Sequence, residues 1–185
     1  MKKNHLINLF LTGLITSQMV AIPHLVNTSP ANATEDKEVL MAQNSTGLTQ
    51  EKMTEILSSI EKAEKEENLA EIVNFFSPYI LSTVTMDSDN TTVITSLQGK
   101  KEHEFYLKNS FDRVKDREVI NSYTTTKITE DGQMAVVTRI RGTNLTTEEG
   151  QKYLSVSTDK IRFALIDNEP KIINLEIKGW LEQLP

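Results

Sequence analysis

The sequence predicts an α+β domain: two helices, a short hairpin, a third helix, and then four long antiparallel strands. Three observations carry this reading. Apolar residues recur at helical spacing between residues 49 and 76. From residue 79 onward the pattern changes to runs of β-branched residues separated by turn formers. The first 33 residues have a composition unlike the rest, with two lysines, no acidic residue and a long apolar run.

That leading segment has the layout of a secretory signal peptide, because Lys2 and Lys3 precede the apolar run 6–22 and the first acidic residue is Glu35. Ala31-Asn32-Ala33 supplies the small-x-small pattern of a signal-peptidase site, which places cleavage between Ala33 and Thr34. A spanning helix needs about 20 mostly apolar residues. Here the run is interrupted by Asn8, Thr12, Thr16, Ser17 and Gln18 and stopped by Pro23, so no stable membrane anchor is expected after cleavage. The organisation that follows is a signal peptide at 1–33, a flexible polar tether at 34–48 and one folded domain at 49–185. The product is expected to be exported, to a periplasm or to the extracellular medium.

Charge and cysteine content exclude several classes of function. The 185 residues include 20 basic and 26 acidic side chains, and losing Lys2 and Lys3 takes the net charge from −6 to −8. An acidic exported domain is a poor partner for nucleic acid or for anionic membrane surfaces, which require clustered Lys and Arg. With no cysteine, disulfides, thiolate nucleophiles and Cys-ligated zinc are all absent, and the domain must be held together by burial alone.

The elements follow in order. Thr49 can cap the first helix, and Met53, Ile56, Leu57, Ile60 and Ala63 form its apolar stripe. The charged run 61–67 reads as a solvated face. Asn68, with Glu71 three residues on, opens a second helix that buries Leu69, Ile72, Val73 and Phe76, and Pro78 stops it. Residues 80–86 and 91–97 read as a hairpin around Asp87-Ser88-Asp89-Asn90. Gly99 opens a third helix on which His103, Leu107, Ser110, Phe111 and Val114 share a face. Strands are then expected over 118–129, 133–143, 151–166 and 171–180. In the second of these, Met134, Val136 and Ile140 alternate as a buried face would. In the third, Leu154 and Val156 are even-numbered whereas Ile161, Phe163 and Leu165 are odd, which predicts a bulge near 157–160 that keeps both sets inward.

This order of elements resembles the nuclear transport factor 2-like superfamily, which includes ketosteroid isomerase and the SnoaL-like cyclases. Three stretches carry the resemblance: Leu-Ala-Glu-Ile-Val-Asn-Phe-Phe-Ser-Pro-Tyr at 69–79, Leu-Gln-Gly-Lys at 97–100, and Ile-Thr-Glu-Asp-Gly-Gln-Met-Ala-Val-Val at 128–137. It extends over residues 49–180. The resemblance implies N-terminal helices packed in a curved antiparallel sheet, a cystatin-like cone with a mostly apolar pocket. Where the superfamily often has Trp-Lys-Ile at the start of its last strand, this chain has Pro170-Lys171-Ile172. Fold does not carry function with it.

Candidate chemistry is sparse. His103 is the one imidazole outside the leader, and on the third helix it can act as an acid or base near neutral pH. Tyr79, Tyr106, Tyr123 and Tyr153 offer phenolic hydroxyls to a pocket. Arg139 and Arg141, two apart on a strand, project to one face and can grip a carboxylate or phosphate; pairing with glutamates across the sheet is the structural alternative. No metal site and no cofactor is expected. The leading expectation is an exported, non-catalytic domain that binds a small apolar ligand or a protein partner through the cone or the open sheet face. A homodimer through that face goes with it. The alternative is a small isomerase, dehydratase or cyclase with His103 in its pocket.

Overall fold

The computed structural model describes residues 47–88 and 91–185; the expected signal peptide, its expected cleavage site and nearly all of the expected tether lie outside the described residues. Helix α1 (Gln50–Lys65) begins where expected, with the Thr49 hydroxyl accepting from the Lys52 amide at 3.2 Å. It ends on Glu67 in the left-handed region, φ 52°, where the Asn68 amide donates to the Ala63 carbonyl and the Glu67 amide to that of Glu64. Asn68 at once caps α2 (Leu69–Asn74), its side chain accepting from the Glu71 amide and donating to the Glu71 carboxylate. Strand β1 (Phe76–Ser88) starts earlier than Pro78 suggests. It is followed by β2 (Thr91–Gln98), α3 (Gly99–Phe111), β3 (Val114–Ile128), β4 (Met134–Thr147), β5 (Lys152–Ile166) and β6 (Glu169–Gln183).

The six strands form one curved sheet in the order β2-β1-β6-β5-β4-β3. It is not wholly antiparallel as expected, because β1 and β6 run parallel. Inward-facing side chains from every strand except β2 join α1 and α2 in the core, which includes Met53, Ile60, Ile72, Ile80, Val84, Val137, Ile161, Phe163 and Ile177.

Two sequence readings are reversed. On β4 the buried face is Ala135, Val137, Arg139, Arg141, Thr143 and Leu145, so Met134, Val136 and Ile140 point outward, Ile140 46% exposed. On β5 the odd residues are buried from Tyr153 through Ser155, Ser157, Asp159 and Ile161 to Phe163. The expected bulge at 157–160 is absent, and β4 and β5 stay in register from Met134 opposite Ala164 to Thr146 opposite Lys152. The irregularity falls on β6 instead, between the Ile172–Phe163 and Asn174–Arg162 pairs. What looks like a change of phase in the sequence is a stretch whose inward residues are polar and whose outward residues are apolar.

The turn joining β3 to β4 also anchors the start of the domain. Leu48 donates its amide to the Gly132 carbonyl at 2.7 Å. Gly132 has φ 65°, and a Cβ there would lie 3.0 Å from the Gly47 Cα. Gly132→Ala is expected to lower stability by at least the cost of a left-handed L-residue, about 1–2 kcal/mol, read as a shift in the urea midpoint with an unchanged slope.

Candidate functional site

Arg139 and Arg141 are both inside the cone, each 1% exposed, because the β4 register turns odd residues inward. Asp159 stands directly opposite Arg139 on β5 and is 0% exposed. Its Oδ2 accepts from Arg139 Nε at 3.2 Å and from Arg141 Nη2 at 3.1 Å, and lies 3.2 Å from Arg139 Nη2. One carboxylate oxygen thus serves two guanidiniums. The last turns of α1 bring two more acids to the cluster. Glu61 Oε1 is 3.9 Å from Arg139 Nη1, and Glu64 is fully buried.

The electrostatics follow from burial. Desolvation lifts the Glu64 carboxyl well above the ordinary range despite the nearby guanidiniums of Arg139 and Arg141, which pull the other way. Burial, reinforced by the neighbouring Arg139 charge, lowers the Arg141 guanidinium to about 10. Among the described residues, Glu64 Oε2, Asp159 Oδ1 and Arg139 Nη1 and Nη2 are buried with no hydrogen-bond partner. Thr143, Ser155 and Ser157 are buried on the same inner face.

The pattern in the sequence that could have exposed this site is the α1 stripe itself. Glu64 lies four residues after Ile60 and seven after Leu57, on the apolar face, not the solvated one. Asp159 shares the odd phase of Ile161 and Phe163.

The other candidate residues are dispersed. His103 is buried between α3 and β1, its ring edge-on to Phe76 at 5.3 Å between centroids. Its Nδ1 lies 2.7 Å from the Gly99 carbonyl and its Nε2 2.6 Å from the Ser82 hydroxyl. A carbonyl only accepts, so Nδ1 carries the proton and Nε2 accepts from Ser82. Burial, the main cause, lowers the His103 pKa, consistent with a neutral ring. The hydroxyl of Tyr153 donates to Gln151 Oε1 at 2.9 Å. Tyr106 is partly buried, and burial raises its pKa. Tyr79 and Tyr123 are exposed at 85% and 66%, outside the cone. The structure therefore unites the arginines with acids that the sequence reading left on a solvated helix face, and leaves the histidine apart from them. Among the described residues no group of three His, Cys, Asp or Glu side chains could hold a metal ion, and no helix is long and apolar enough to cross a membrane.

No protein-family model matches the sequence, and no curated protein matches it. Solved structures do match in fold. A candidate scytalone dehydratase from Novosphingobium aromaticivorans aligns at a TM-score of 0.59 with 7% identity, over 72% of this chain and 85% of that one. A nuclear transport factor 2-like protein of unknown function from Pseudomonas putida aligns at 0.55 with 8% identity, over 71% and 89%. The hexachlorocyclohexane dehydrochlorinase of Novosphingobium barchaimii aligns at 0.53 with 10% identity, over 71% and 87%. The chain has the nuclear transport factor 2-like fold.

Two opposite pH dependences are expected. The folded-state pKa of His103 is depressed, so its contribution to stability is complete above the unfolded value of about 6.5 and is lost as pH falls below it. In urea titrations the stability difference between wild type and His103→Gln should shrink from pH 7 to pH 5. The folded-state pKa of Glu64, facing Arg139, Arg141, Glu61 and Asp159, is raised, so its burial costs more as pH rises above the unfolded value. Glu64→Gln should match wild type near pH 4 and exceed it at pH 8, by about 1–3 kcal/mol for a buried polar group without a partner.

Proposed function

We propose that the chain is an exported, non-catalytic domain that binds a small ligand inside its cone and pairs with a second copy through its convex sheet face. The observation that carries this reading is the inversion on β4 and β5, where polar side chains point in and apolar ones point out. A core with no task beyond stability gains nothing from Arg139, Arg141, Asp159 and Glu64, whose desolvation costs several kcal/mol per ion before any pairing.

The convex face supports the pairing. Ile120 lies over Gly142, which stands beside Val156 and then Trp180 across β4, β5 and β6. Tyr123 is opposite Ile140 in the neighbouring row. This contiguous apolar surface includes Trp180 at 41% exposure and is the kind of patch that marks an interaction site. The exported location rests on the leader sequence.

A second reading, a small isomerase, dehydratase or cyclase, is favoured by one observation: Glu64 is a buried carboxyl of raised pKa beside two guanidiniums, an acid next to groups that stabilise an oxyanion. In that reading the proton would move at the Glu64 carboxyl, because both ring nitrogens of His103 are engaged by Gly99 and Ser82.

Native mass spectrometry of the protein recovered from its exporting host tests both. The expected result is a dimer of chains beginning at Thr34 that carries a small-molecule adduct; a monomer at micromolar concentration would overturn the pairing. Release of a chemically altered adduct on incubation would favour the enzyme. Ile140→Glu with Trp180→Glu should yield a folded monomer, seen as a halved mass with an unchanged far-ultraviolet circular dichroism spectrum.

A further inference from the structure

Strand β3 is a free edge of the sheet, since the order β2-β1-β6-β5-β4-β3 pairs it with β4 alone. An edge strand presents a row of unpaired N–H and C=O groups, and proteins that keep such an edge unpaired use charges, proline or short strands to do so. Here the strand is 15 residues long, and its middle, 119–126, carries no charge and no proline. Residues 120–125 are exposed on both faces of the strand, including Ser122 and Thr124, which the register turns inward beside Arg141 and Arg139. At the opposite edge β2 has 8 residues and no charged side chain that could set a register.

The charges that flank the middle of β3 are placed symmetrically. Tyr123 stands opposite Ile140 on β4, Lys127 opposite Val136 and Glu118 opposite Asn144, so the lysine and the glutamate lie four β4 positions to either side of the tyrosine. In the chain itself Glu118 is five residues from Tyr123. The bulge at Ile120, where Asn121 Oδ1 accepts from the Gly142 amide at 2.8 Å, absorbs the extra residue. All three side chains lie on the outer face, opposite β4 residues that point outward. Glu118 accepts from Asn144 Nδ2 at 3.3 Å, and among the described residues neither Glu118 nor Lys127 is paired with an opposite charge.

A strand with this arrangement is complementary to itself. With a second β3 laid antiparallel along the first and the two Tyr123 residues opposite each other, Glu118 of each copy meets Lys127 of the other and Asn121 meets Thr125. Opposite charges facing each other across strands are stabilising, and no like charges are opposed over this span. The two-fold axis at Tyr123 gives every contact twice, as in the isologous interfaces of homodimers.

We propose that β3 is a second self-association surface, on which another copy adds its own β3 antiparallel, centred on Tyr123, to make one continuous sheet across the two chains. The contact uses the strand edge and so goes beyond the face pairing proposed above. One strand laid on one strand buries little surface, so the edge contact forms above the micromolar range of the face pairing. Together the two contacts build assemblies larger than a dimer.

Sedimentation velocity of the secreted chain between about 5 and about 500 μM tests the edge contact. A Trp180→Glu background weakens the face pairing from three strands away, so the two contacts fail separately. The expected result is a monomer–dimer equilibrium that Lys127→Glu and Glu118→Lys each weaken at least tenfold, and that the double exchange of the two charges restores to within threefold. Because the chain has no cysteine, Tyr123→Cys should give a disulfide-linked dimer on mild oxidation: opposite residues of antiparallel strands have Cα atoms about 4.5–5.5 Å apart, within disulfide range. If a charge variant fails to fold, salt decides: raising NaCl from about 0.02 to about 0.5 M should weaken the dimer at least tenfold. No association at the highest concentration would overturn the proposal and leave the face pairing to its own native mass test. Association indifferent to both charge exchanges and to salt would overturn it too, because the contact would then lie elsewhere.

Discussion

Two guanidiniums held inside the domain against one carboxylate constrain the rest of this structure. Arg139, Arg141 and Asp159 are at most 1% exposed, and a buried ion group of this kind is a weak source of stability. Replacing one by apolar residues of similar volume is often neutral or stabilising, whereas removing one partner costs about 3–5 kcal/mol. The cluster therefore has to be complete or absent. Its position at the middle of β4 and β5 leaves the apolar core to form on either side: around Val137, Ile161 and Phe163 along those strands, and around Ile80, Val84, Ile72 and Ile177 toward β1 and β6.

In a chain without cysteine, other buried polar contacts tie the helices to the sheet. Ser82, His103 and the Gly99 carbonyl form a closed chain of hydrogen bonds that fixes the start of α3 on β1. At the other end of α3, Arg117 reaches from β3 to the Ser110 carbonyl and hydroxyl, pairs with Glu67 at the α1–α2 corner, and stacks over the Phe111 ring at 5.2 Å. Both ring nitrogens of His103 are engaged within the protein, whereas among the described residues Arg117 Nε is buried without a hydrogen-bond partner. The Arg139 cluster differs from these contacts in bringing two guanidiniums and the buried acids Asp159 and Glu64 to one place inside the sheet.

The legible part of the sequence was its local chemistry. Caps at Thr49 and Asn68 and the order of elements follow from short-range rules and appear where those rules put them. The direction in which β4 and β5 face was not legible, because hydrophobic alternation assigns the apolar side to the interior. In the middle of these strands that side is outward, although Val137, Leu145, Ile161 and Phe163 toward their ends face in. The same assumption hid Glu64, taken with its charged neighbours as solvated although its spacing from Leu57 and Ile60 puts it on the buried stripe. The arginines were found as a pair because two-residue spacing fixes a shared face whichever way it points. Their partner was missed because cross-strand register is a tertiary fact.

Register is also what holds the two surfaces in place. Along β4 the order Arg139, Ile140, Arg141 alternates in, out, in, and along β5 so does Ser155, Val156, Ser157. A slip of one residue would exchange the faces, placing Ile140, Val156 and Met134 inside and the arginines outside. Hydrophobic burial would favour the slip only along the middle of these strands, because the slip would also turn Val137, Leu145, Ile161 and Phe163 outward. Opposition comes from both ends of the strands. Asp167 and Asn168, at φ 53° and 63°, close a two-residue hairpin with Ile166 opposite Glu169, the geometry of a type I′ turn whose fixed length permits one register. At the other hairpin, Thr129 and Gln133 both donate to Asp131 Oδ1, at 2.6 and 3.0 Å, and the Gly132 backbone receives Leu48. Between these turns, Asp159 faces Arg139 directly. A slip would carry these charges out of the interior, but it would also break turns that cannot be rebuilt one residue away. The polar facing at the middle of these strands is thus held by turn chemistry together with the buried Val137, Leu145, Ile161 and Phe163 toward their ends.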